Sequence, residues 1–326
     1  MSIPSNSNYQ KLFVVGCPRS GTTWITKMLG SHPQIVKLPS ESHLYKLVYD
    51  PFTYLKKLKL SVRLKKASWI FKHFGFKPIL FGFHSNDIWN GMLRTYKLYQ
   101  NANQVGIHIC IDYEDFKEEI AKLKEASEDD LIKAQNLIAH ILDMYFHQKG
   151  GNSEQILLEK TPMHIRYANS ILAHFPEAKV LEVVRDVRDV CTSWKARSKT
   201  QCWARKSTED VVQRWQKCIQ WGDRIQAEPE FSHRIHRVKY ENLRQSPVQQ
   251  LKEIFDFLEV AYDEAQVHHI VDTWDISKEK NKGEGKHIRQ GKIGDWQNSL
   301  SQEEIDVCEQ LAAPMLAKLG YPVSSS

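Results

Sequence analysis

The chain has 326 residues, of which 41% are hydrophobic, and this is enough to form a sizeable core in one large domain or two smaller ones. Its formal net charge of +6 suits an anionic ligand but is too small to indicate nucleic-acid binding. The six cysteines form no C-x-x-C pair, which argues against a zinc site or a disulfide framework and favours reduced, buried thiols.

The first predicted elements enclose a short loop. The apolar residues 13–16 indicate a buried strand, and the apolar spacing over 22–29 indicates a helix. Amides at a helix N-terminus carry partial positive charge and bind phosphate or sulfate. Gly21 lets the backbone approach such an anion, and Arg19 adds a planar set of donors. Hydroxyl groups come from Ser20, Thr22 and Thr23. The loop is therefore a candidate anion site.

This loop departs from the common nucleotide-binding motif. Gly16 and Gly21 have the spacing of G-x-x-x-x-G-K-[ST], but Thr22 stands where the lysine belongs. A phosphoryl-transfer enzyme that uses ATP and Mg²⁺ would lose the lysine contact to the terminal phosphates. That function remains an alternative, as does an ordinary turn between a strand and a helix.

Residues 45–150 have a mostly helical pattern. Within them, the segment 55–77 contains eight lysines and arginines and no acidic residue. It predicts either a solvated basic helix or a surface for an anionic acceptor or a membrane, and composition does not decide between these.

Strands and helices alternate in the remainder of the chain. Strands are predicted over 155–158, 179–184 and 234–239, and helices over 163–174, 187–195, 207–226 and 247–258. A capping box, "SQEE" at 301–304, precedes a last helix whose apolar stripe includes Cys308, Leu311 and Leu319. The alternation predicts an α/β fold: a P-loop-type central parallel sheet flanked by helices, with a helical insertion.

A second cluster of cationic and hydroxyl groups follows the strand 179–184. Arg185 comes at the end of that strand, where ligands of open α/β sheets bind. Ser193 and Arg197 are four residues apart and share one face of the following helix. These groups can surround a second phosphate, although surface salt bridges with Asp186 and Asp189 are an alternative.

Together these motifs resemble the sulfotransferases that use 3′-phosphoadenosine 5′-phosphosulfate (PAPS). "CPRSGTTW" is similar to their 5′-phosphosulfate loop, and "RDVRDVCTS" to their 3′-phosphate motif. The resemblance implies that residues 19–23 hold the 5′-phosphosulfate and that Arg185, Ser193 and Arg197 hold the 3′-phosphate. Arg19 replaces the lysine of the cytosolic enzymes and matches the arginine of the tyrosylprotein class.

Two further segments carry the same resemblance. "IRQGKIGDW" is similar to R-x-G-x-x-G-D-W of the cytosolic enzymes, which implies that Arg289, with Gln290 and Gly291, also holds the 3′-phosphate. "VKYENL" implies that Tyr240 reaches the adenine, on which Trp24 would stack.

The catalytic groups are also implied by resemblance. "LEKTP" is similar to E-K-T-P of glycosaminoglycan sulfotransferases, whose lysine assists the transferring sulfuryl group, and this assigns that role to Lys160. Glu41, beyond an H-P turn, resembles the catalytic base of the glycosaminoglycan and tyrosylprotein enzymes, and His43 resembles an acceptor-site histidine. Pro162 replaces the histidine base of the cytosolic enzymes, so the nearby His164 is a reserve candidate.

The resemblance implies a single sulfotransferase domain over 1–326, with a PAPS-binding core at 10–44 and 155–320 and an acceptor-binding insertion at 45–150. The expected reaction moves a sulfuryl group from PAPS to a hydroxyl of a saccharide, glycolipid or small metabolite, without a metal, and releases 3′-phosphoadenosine 5′-phosphate (PAP). A peptide tyrosine and an inactive nucleotide-binding relative stay open as alternatives.

The expected location follows from features that the sequence lacks. The amino terminus has no signal-peptide pattern, and no uninterrupted apolar segment reaches the roughly 18 residues of a membrane span. We therefore expect a soluble, cytoplasmic and bacterial enzyme that binds no nucleic acid.

Overall fold

The computed structural model describes residues 8–49, 88–101, 105–276 and 291–323. Contacts divide the chain into two compact bodies, one of Asn8–Lys37 with Asn152–Ser326 and the other of Leu38–Gly151. The basic segment 55–77 lies outside the described residues, as do Arg289 and Gln290.

A parallel sheet forms the centre of the first body, which confirms the predicted α/β fold. Its five described strands have the spatial order β2-β3-β1-β4-β5, and every neighbouring pair is parallel. The strands are β1 (Lys11–Gly16), β2 (Ile35–Lys37), β3 (Ile156–Lys160), β4 (Lys179–Val184) and β5 (Ile235–Lys239).

The strand register brings the carboxyl ends of three strands to one edge of the sheet. Val14 of β1 lies opposite Lys160 of β3, and Gly16 of β1 lies opposite Val183 of β4. β1 and β3 are buried along their whole length because helices cover both faces of the sheet. The loop after β1, the end of β3 and the residues after β4 therefore emerge together.

Helices surround this sheet on both faces. One face packs Leu12 and Val14 against the helices Thr22–Leu29, Pro247–Leu258 and Glu264–Thr273, and on the other face Phe13 stacks on Phe175 with ring centroids 6.0 Å apart. The helices are α1 (Thr22–Leu29), α6 (Ala168–His174), α7 (Val187–Ser198), α8 (Thr208–Ala227), α9 (Tyr240–Gln245), α10 (Pro247–Leu258), α11 (Glu264–Thr273), α12 (Trp296–Ser299) and α13 (Gln302–Lys318). A 3₁₀ helix, Pro162–Tyr167, connects β3 to α6.

The last helix, α13, confirms its predicted start and part of its predicted apolar stripe. Ser301 and Glu304 form the expected capping box. Cys308 and Leu319 are buried as predicted, but Leu311 is 39% exposed, and Ala312 and Leu316 are buried between them instead. The prediction was wrong at Leu311, because several apolar stripes are possible on this helix and the neighbouring elements decide which one is buried.

The second body, Leu38–Gly151, is helical in its described part. Its helices are α2 (Leu44–Tyr49), α3 (Ile88–Asn101), α4 (Tyr113–Lys124) and α5 (Asp130–Gln148). Tyr96 of α3 lies in its core, stacked on Phe116 at 5.2 Å and donating a hydrogen bond to the Ile111 carbonyl at 2.7 Å. No described helix of either body has the length and apolar character that would carry it across a bilayer.

All six cysteines are free thiols. Five of them are buried as predicted, whereas Cys202 is exposed.

Candidate active site

The loop between β1 and α1 has the backbone geometry of an anion-binding turn. Gly21 precedes the first residue of α1 and has a left-handed φ of 98°, and Arg19 has a φ of 80°. The Ser20 amide donates to the Cys17 carbonyl at 3.1 Å and closes the turn. α1 starts at Thr22 and its first amides have no partner within the helix, so the partial positive charge of its N-terminus lies at this loop.

Ser20 and Arg19 are the polar side chains of the loop that face the predicted anion sites. The Ser20 hydroxyl is fully buried, and within the described residues it has no hydrogen-bond partner. Arg19 Nε donates to the Ser193 hydroxyl on α7 at 2.9 Å. The structure therefore brings the two predicted anion sites together through one arginine.

The second site is built around Arg185, which directly follows β4. Its Nη1 lies 3.5 Å from the Arg19 carbonyl, and its guanidinium stacks over the Tyr240 ring at 4.3 Å from the centroid. Its buried Nε has no partner among the residues that the structure describes. Ser193 and Arg197 lie half-buried one turn apart on α7, so all three predicted 3′-phosphate ligands of this motif occupy one region.

The neighbouring arginine has a different role. Arg188 is 1% exposed, and it forms ion pairs with Asp186 and Glu309, each at 2.7 Å. Its guanidinium also lies over Trp296, 4.1 Å from the ring centroid. The salt bridges that the sequence raised as an alternative therefore exist at Arg188, where the pair with Glu309 ties α7 to α13, and also at Arg185, whose Nη2 lies 3.5 Å from Asp189 Oδ2.

A turn formed by residues 291–296 lies against this second site. Arg185 Nη2 donates to the Lys292 carbonyl at 3.0 Å, and the Tyr240 hydroxyl donates to the Gly291 carbonyl at 3.1 Å. Asp189 of α7 accepts from the amides of Gly294 and Trp296. Sequence reasoning treated Asp189 only as a salt-bridge candidate, although its position in the first turn of the helix that follows Arg185 indicated that the two lie close together.

The predicted adenine contacts form an aromatic cluster. Tyr240 is buried, and burial raises the pKa of its phenol, so the neutral hydroxyl is the donor to Gly291. Trp24 packs edge-on against Tyr240 at 5.8 Å between centroids and donates to the Trp274 carbonyl at 2.8 Å. Contact of these rings with adenine stays a prediction.

Lys160 is the last residue of β3 and is buried at the sheet edge that carries the loop. Its Nζ lies 3.5 Å from the Thr23 hydroxyl of α1. The register that pairs Lys160 with Val14 thus places its ammonium group beside the N-terminus of α1.

Glu159 points to the opposite face of the sheet, since successive residues of a strand alternate. Its carboxylate, 1% exposed, accepts from the Thr161 hydroxyl at 2.6 Å and lies 3.0 Å from His164 Nδ1. The reserve base His164 is equally buried and is engaged in this unit. The role of Glu159 was missed, although strand alternation around Lys160 could have indicated it.

Glu41 and His43 belong to the second body and lie next to each other. Their closest atoms, Oε2 and Nε2, are 3.5 Å apart, and both side chains are partly exposed. His43 has a positive φ of 53°, and its ring stacks on Tyr99 at 5.5 Å with an interplanar angle of 7°.

Among the described residues, no group of three or more histidine, cysteine, aspartate or glutamate side chains is arranged to hold a metal. Arginine, lysine, hydroxyl groups and helix amides make up the site instead. The two predicted anion sites thus lie together at the carboxyl edge of the parallel sheet, where ligands of open α/β sheets bind.

Comparison with known proteins identifies the family. The model of the sulfotransferase family matches residues 11–264, so the chain belongs to the sulfotransferase family. A protein-tyrosine sulfotransferase of Drosophila melanogaster is 23% identical over 331 residues, which cover 97% of this chain and 52% of that protein. The chain thus spans about half the length of this curated relative.

The fold is shared with a solved sulfotransferase structure. Sulfotransferase STF9 from Mycobacterium avium superposes with a TM-score of 0.51 at 15% identity, covering 98% of this chain and 79% of the other. Mouse sulfotransferase SULT7A1, solved in complex with PAP, gives a TM-score of 0.45 at 12% identity, with 94% and 84% coverage. Of these two superpositions, the one with STF9 shows the shared fold.

Proposed function

We propose that the protein transfers a sulfuryl group from PAPS to a hydroxyl group of an acceptor. The observation that carries the proposal is the bond from Arg19 of the first anion site to Ser193 of the second, at 2.9 Å. PAPS has an anionic group at the 5′ position and another at the 3′ position of its ribose, and two linked oxyanion sites match that pattern. Family membership supports the same reaction class.

Polar atoms in the site fit such a ligand. The buried Ser20 hydroxyl and the buried Arg185 Nε lack partners within the described residues, and buried polar groups are otherwise nearly always hydrogen-bonded. Arg19, Ser20 and the first amides of α1 would hold the 5′-phosphosulfate. Arg185, Ser193 and Arg197 would hold the 3′-phosphate, with Gly291 and the preceding residues of its segment.

The chemistry needs charge stabilisation and a base. When bound, PAPS would supply the sulfuryl group. Arg19 and Lys160 would place positive charge at the oxygens that gain negative charge during transfer, as donors of oxyanion holes do. Lys160 is suited to this role because the end of β3 carries its ammonium group to Thr23, beside the N-terminus of α1.

Glu41 is the general base in this proposal. Its carboxylate is partly exposed and neighbours His43, which could help to orient the acceptor. His164 is a poorer candidate because it is buried and bound to Glu159. We expect Glu41→Gln to keep PAP affinity and to abolish transfer of radiolabelled sulfate from PAPS to hydroxyl compounds, with Glu154→Gln, an exposed glutamate, as the control. Retained transfer would exclude Glu41 as the base.

The acceptor is proposed only by class. The E-K-T-P motif and the glutamate base favour an alcohol hydroxyl of a saccharide, glycolipid or small metabolite. A tyrosine phenol is the alternative, which the name of the Drosophila relative raises.

Calorimetric titration with PAP, ADP and ATP, in EDTA and then with Mg²⁺, tests the proposal. We expect PAP to bind most tightly without a metal, because ADP and ATP lack the 3′-phosphate. Equal or tighter binding of ATP with Mg²⁺ would instead indicate a phosphoryl-transfer enzyme. Tight PAP binding without transfer to any acceptor would indicate an inactive relative.

A further inference from the structure

Asp189 is a buried carboxylate beside a site that binds anions. It is 1% exposed and lies on α7. Its Oδ2 accepts from the Gly294 amide at 2.9 Å, and its Oδ1 accepts from the Trp296 amide at 3.1 Å. Oδ2 also lies 3.5 Å from Arg185 Nη2. Both oxygens are therefore engaged, and the negative charge is balanced by one guanidinium and two amide dipoles.

These contacts fasten the turn 291–296 to the second anion site. Arg185 Nη2 donates to the Lys292 carbonyl at 3.0 Å, in addition to its approach to Asp189. The Tyr240 hydroxyl donates to the Gly291 carbonyl at 3.1 Å. One carboxylate thus fixes both the arginine and the turn, while Arg185 keeps its buried Nε without a partner in the described part of the chain.

A buried acid next to a phosphate site needs a physical reason. Burial raises the pKa of Asp189, while Arg185 and the two amides oppose that rise. Burying the charged carboxylate therefore costs folding free energy. Its repulsion of a nearby phosphate is also unfavourable. Orientation of Arg185 is a benefit that can outweigh both costs, because a guanidinium held in place loses less entropy when it binds an oxyanion.

We propose that Asp189 is a positioning residue that makes the site selective for a nucleotide carrying a 3′-phosphate. The proposal rests on the proposed function. Asp189 holds Arg185 and the turn 291–296 in the arrangement that accepts the 3′-phosphate, and it does not touch the 5′ group. Its removal should weaken binding of the 3′-phosphate selectively.

The test compares PAP with AMP, which lacks the 3′-phosphate, by calorimetry. The ratio of the AMP and PAP dissociation constants measures what the 3′-phosphate contributes. We expect Asp189→Ala to weaken PAP binding about ten- to hundredfold, the scale of a charge-assisted hydrogen bond, while AMP binding changes by less than about threefold. Asp189→Asn keeps the side-chain volume and one acceptor oxygen, and it keeps the test available if the alanine variant unfolds.

Glu309→Gln is the matched control. This substitution removes a carboxylate of α13 that pairs at 2.7 Å with Arg188, which lies on α7 as Asp189 does. We expect it to lower stability without changing the ratio of the AMP and PAP dissociation constants. A ratio that falls in both folded Asp189 variants, but not in the control, supports the proposal. An unchanged ratio, or equal losses for PAP and AMP, overturns it and leaves the proposed function standing. Equal binding of AMP and PAP by the unmodified protein overturns both.

Discussion

The approach of Tyr240 to Gly21 gives a sharp prediction about the cofactor loop. A Cβ at position 21 would lie 2.4 Å from Cδ2 and 2.8 Å from Cε2 of Tyr240, well inside van der Waals contact. The Tyr240 ring is held by Trp24 at its edge, by Arg185 over its face and by its hydrogen bond to Gly291. The ring therefore has little freedom to move away, and Gly21→Ala forces the loop or the ring to shift.

The cost of Gly21→Ala has two parts. The left-handed φ of 98° costs an alanine about 1–2 kcal/mol, and overpacking against a buried ring costs about 1–3 kcal/mol. Gly150→Ala is the control, since Gly150 has a φ of 73° and an added Cβ would meet nothing within 4 Å. Both substitutions restrict the unfolded chain alike, so the difference between them isolates the contact with Tyr240.

Urea unfolding and calorimetric titration with PAP measure the two consequences. We expect Gly21→Ala to lower the free energy of unfolding by about 2–5 kcal/mol, and Gly150→Ala by about 1–2 kcal/mol. PAP binding should weaken in the Gly21 variant alone, because the displaced loop carries Arg19. A Gly21 variant that is as stable as the Gly150 variant and binds PAP normally would refute this reasoning.

Two other predictions follow from buried charges of the first body. Lys160→Ala should lower kcat by about 10²–10³-fold with little change in PAP affinity, and Lys160→Arg should recover part of the rate; an equal loss of affinity and rate would contradict a role in transfer. Burial raises the pKa of Glu182, which is paired with Arg237, to about 7 from an ordinary value of 4.5. The folded protein therefore holds this proton more tightly than the unfolded chain does, so this group lowers stability by about 3 kcal/mol as pH rises from 4.5 to 7. Glu182→Gln should reduce that decline in urea unfolding measured across this pH range, and an unchanged pH dependence would contradict the assignment.

Local sequence patterns determined the elements of the first body that are strongly periodic. The bounds of α1 and β4 agree with the predictions, because a continuous apolar run and a helical apolar spacing each define one structure over six to eight residues. β2 was not predicted, since it has only three residues, Ile35–Lys37, and is held by pairing with β3. A short strand depends on its neighbour rather than on its own residues.

The sequence by itself also determined the chemical character of the site: Arg19, Ser20 and Gly21 before a helix, Arg185 with Ser193, and Lys160 at the end of a strand. Only the tertiary structure decided how these groups are used. It joined Arg19 to Ser193, engaged Arg188 with Asp186 and Glu309, and paired Arg185 with Asp189. It also placed Asp189 against the turn 291–296, whose amides donate to it although they lie more than a hundred residues away along the chain. The physical reason is that residue type and spacing fix the charge and helix face of a side chain, whereas its partner depends on which distant segments the sheet register and helix packing bring within hydrogen-bond distance.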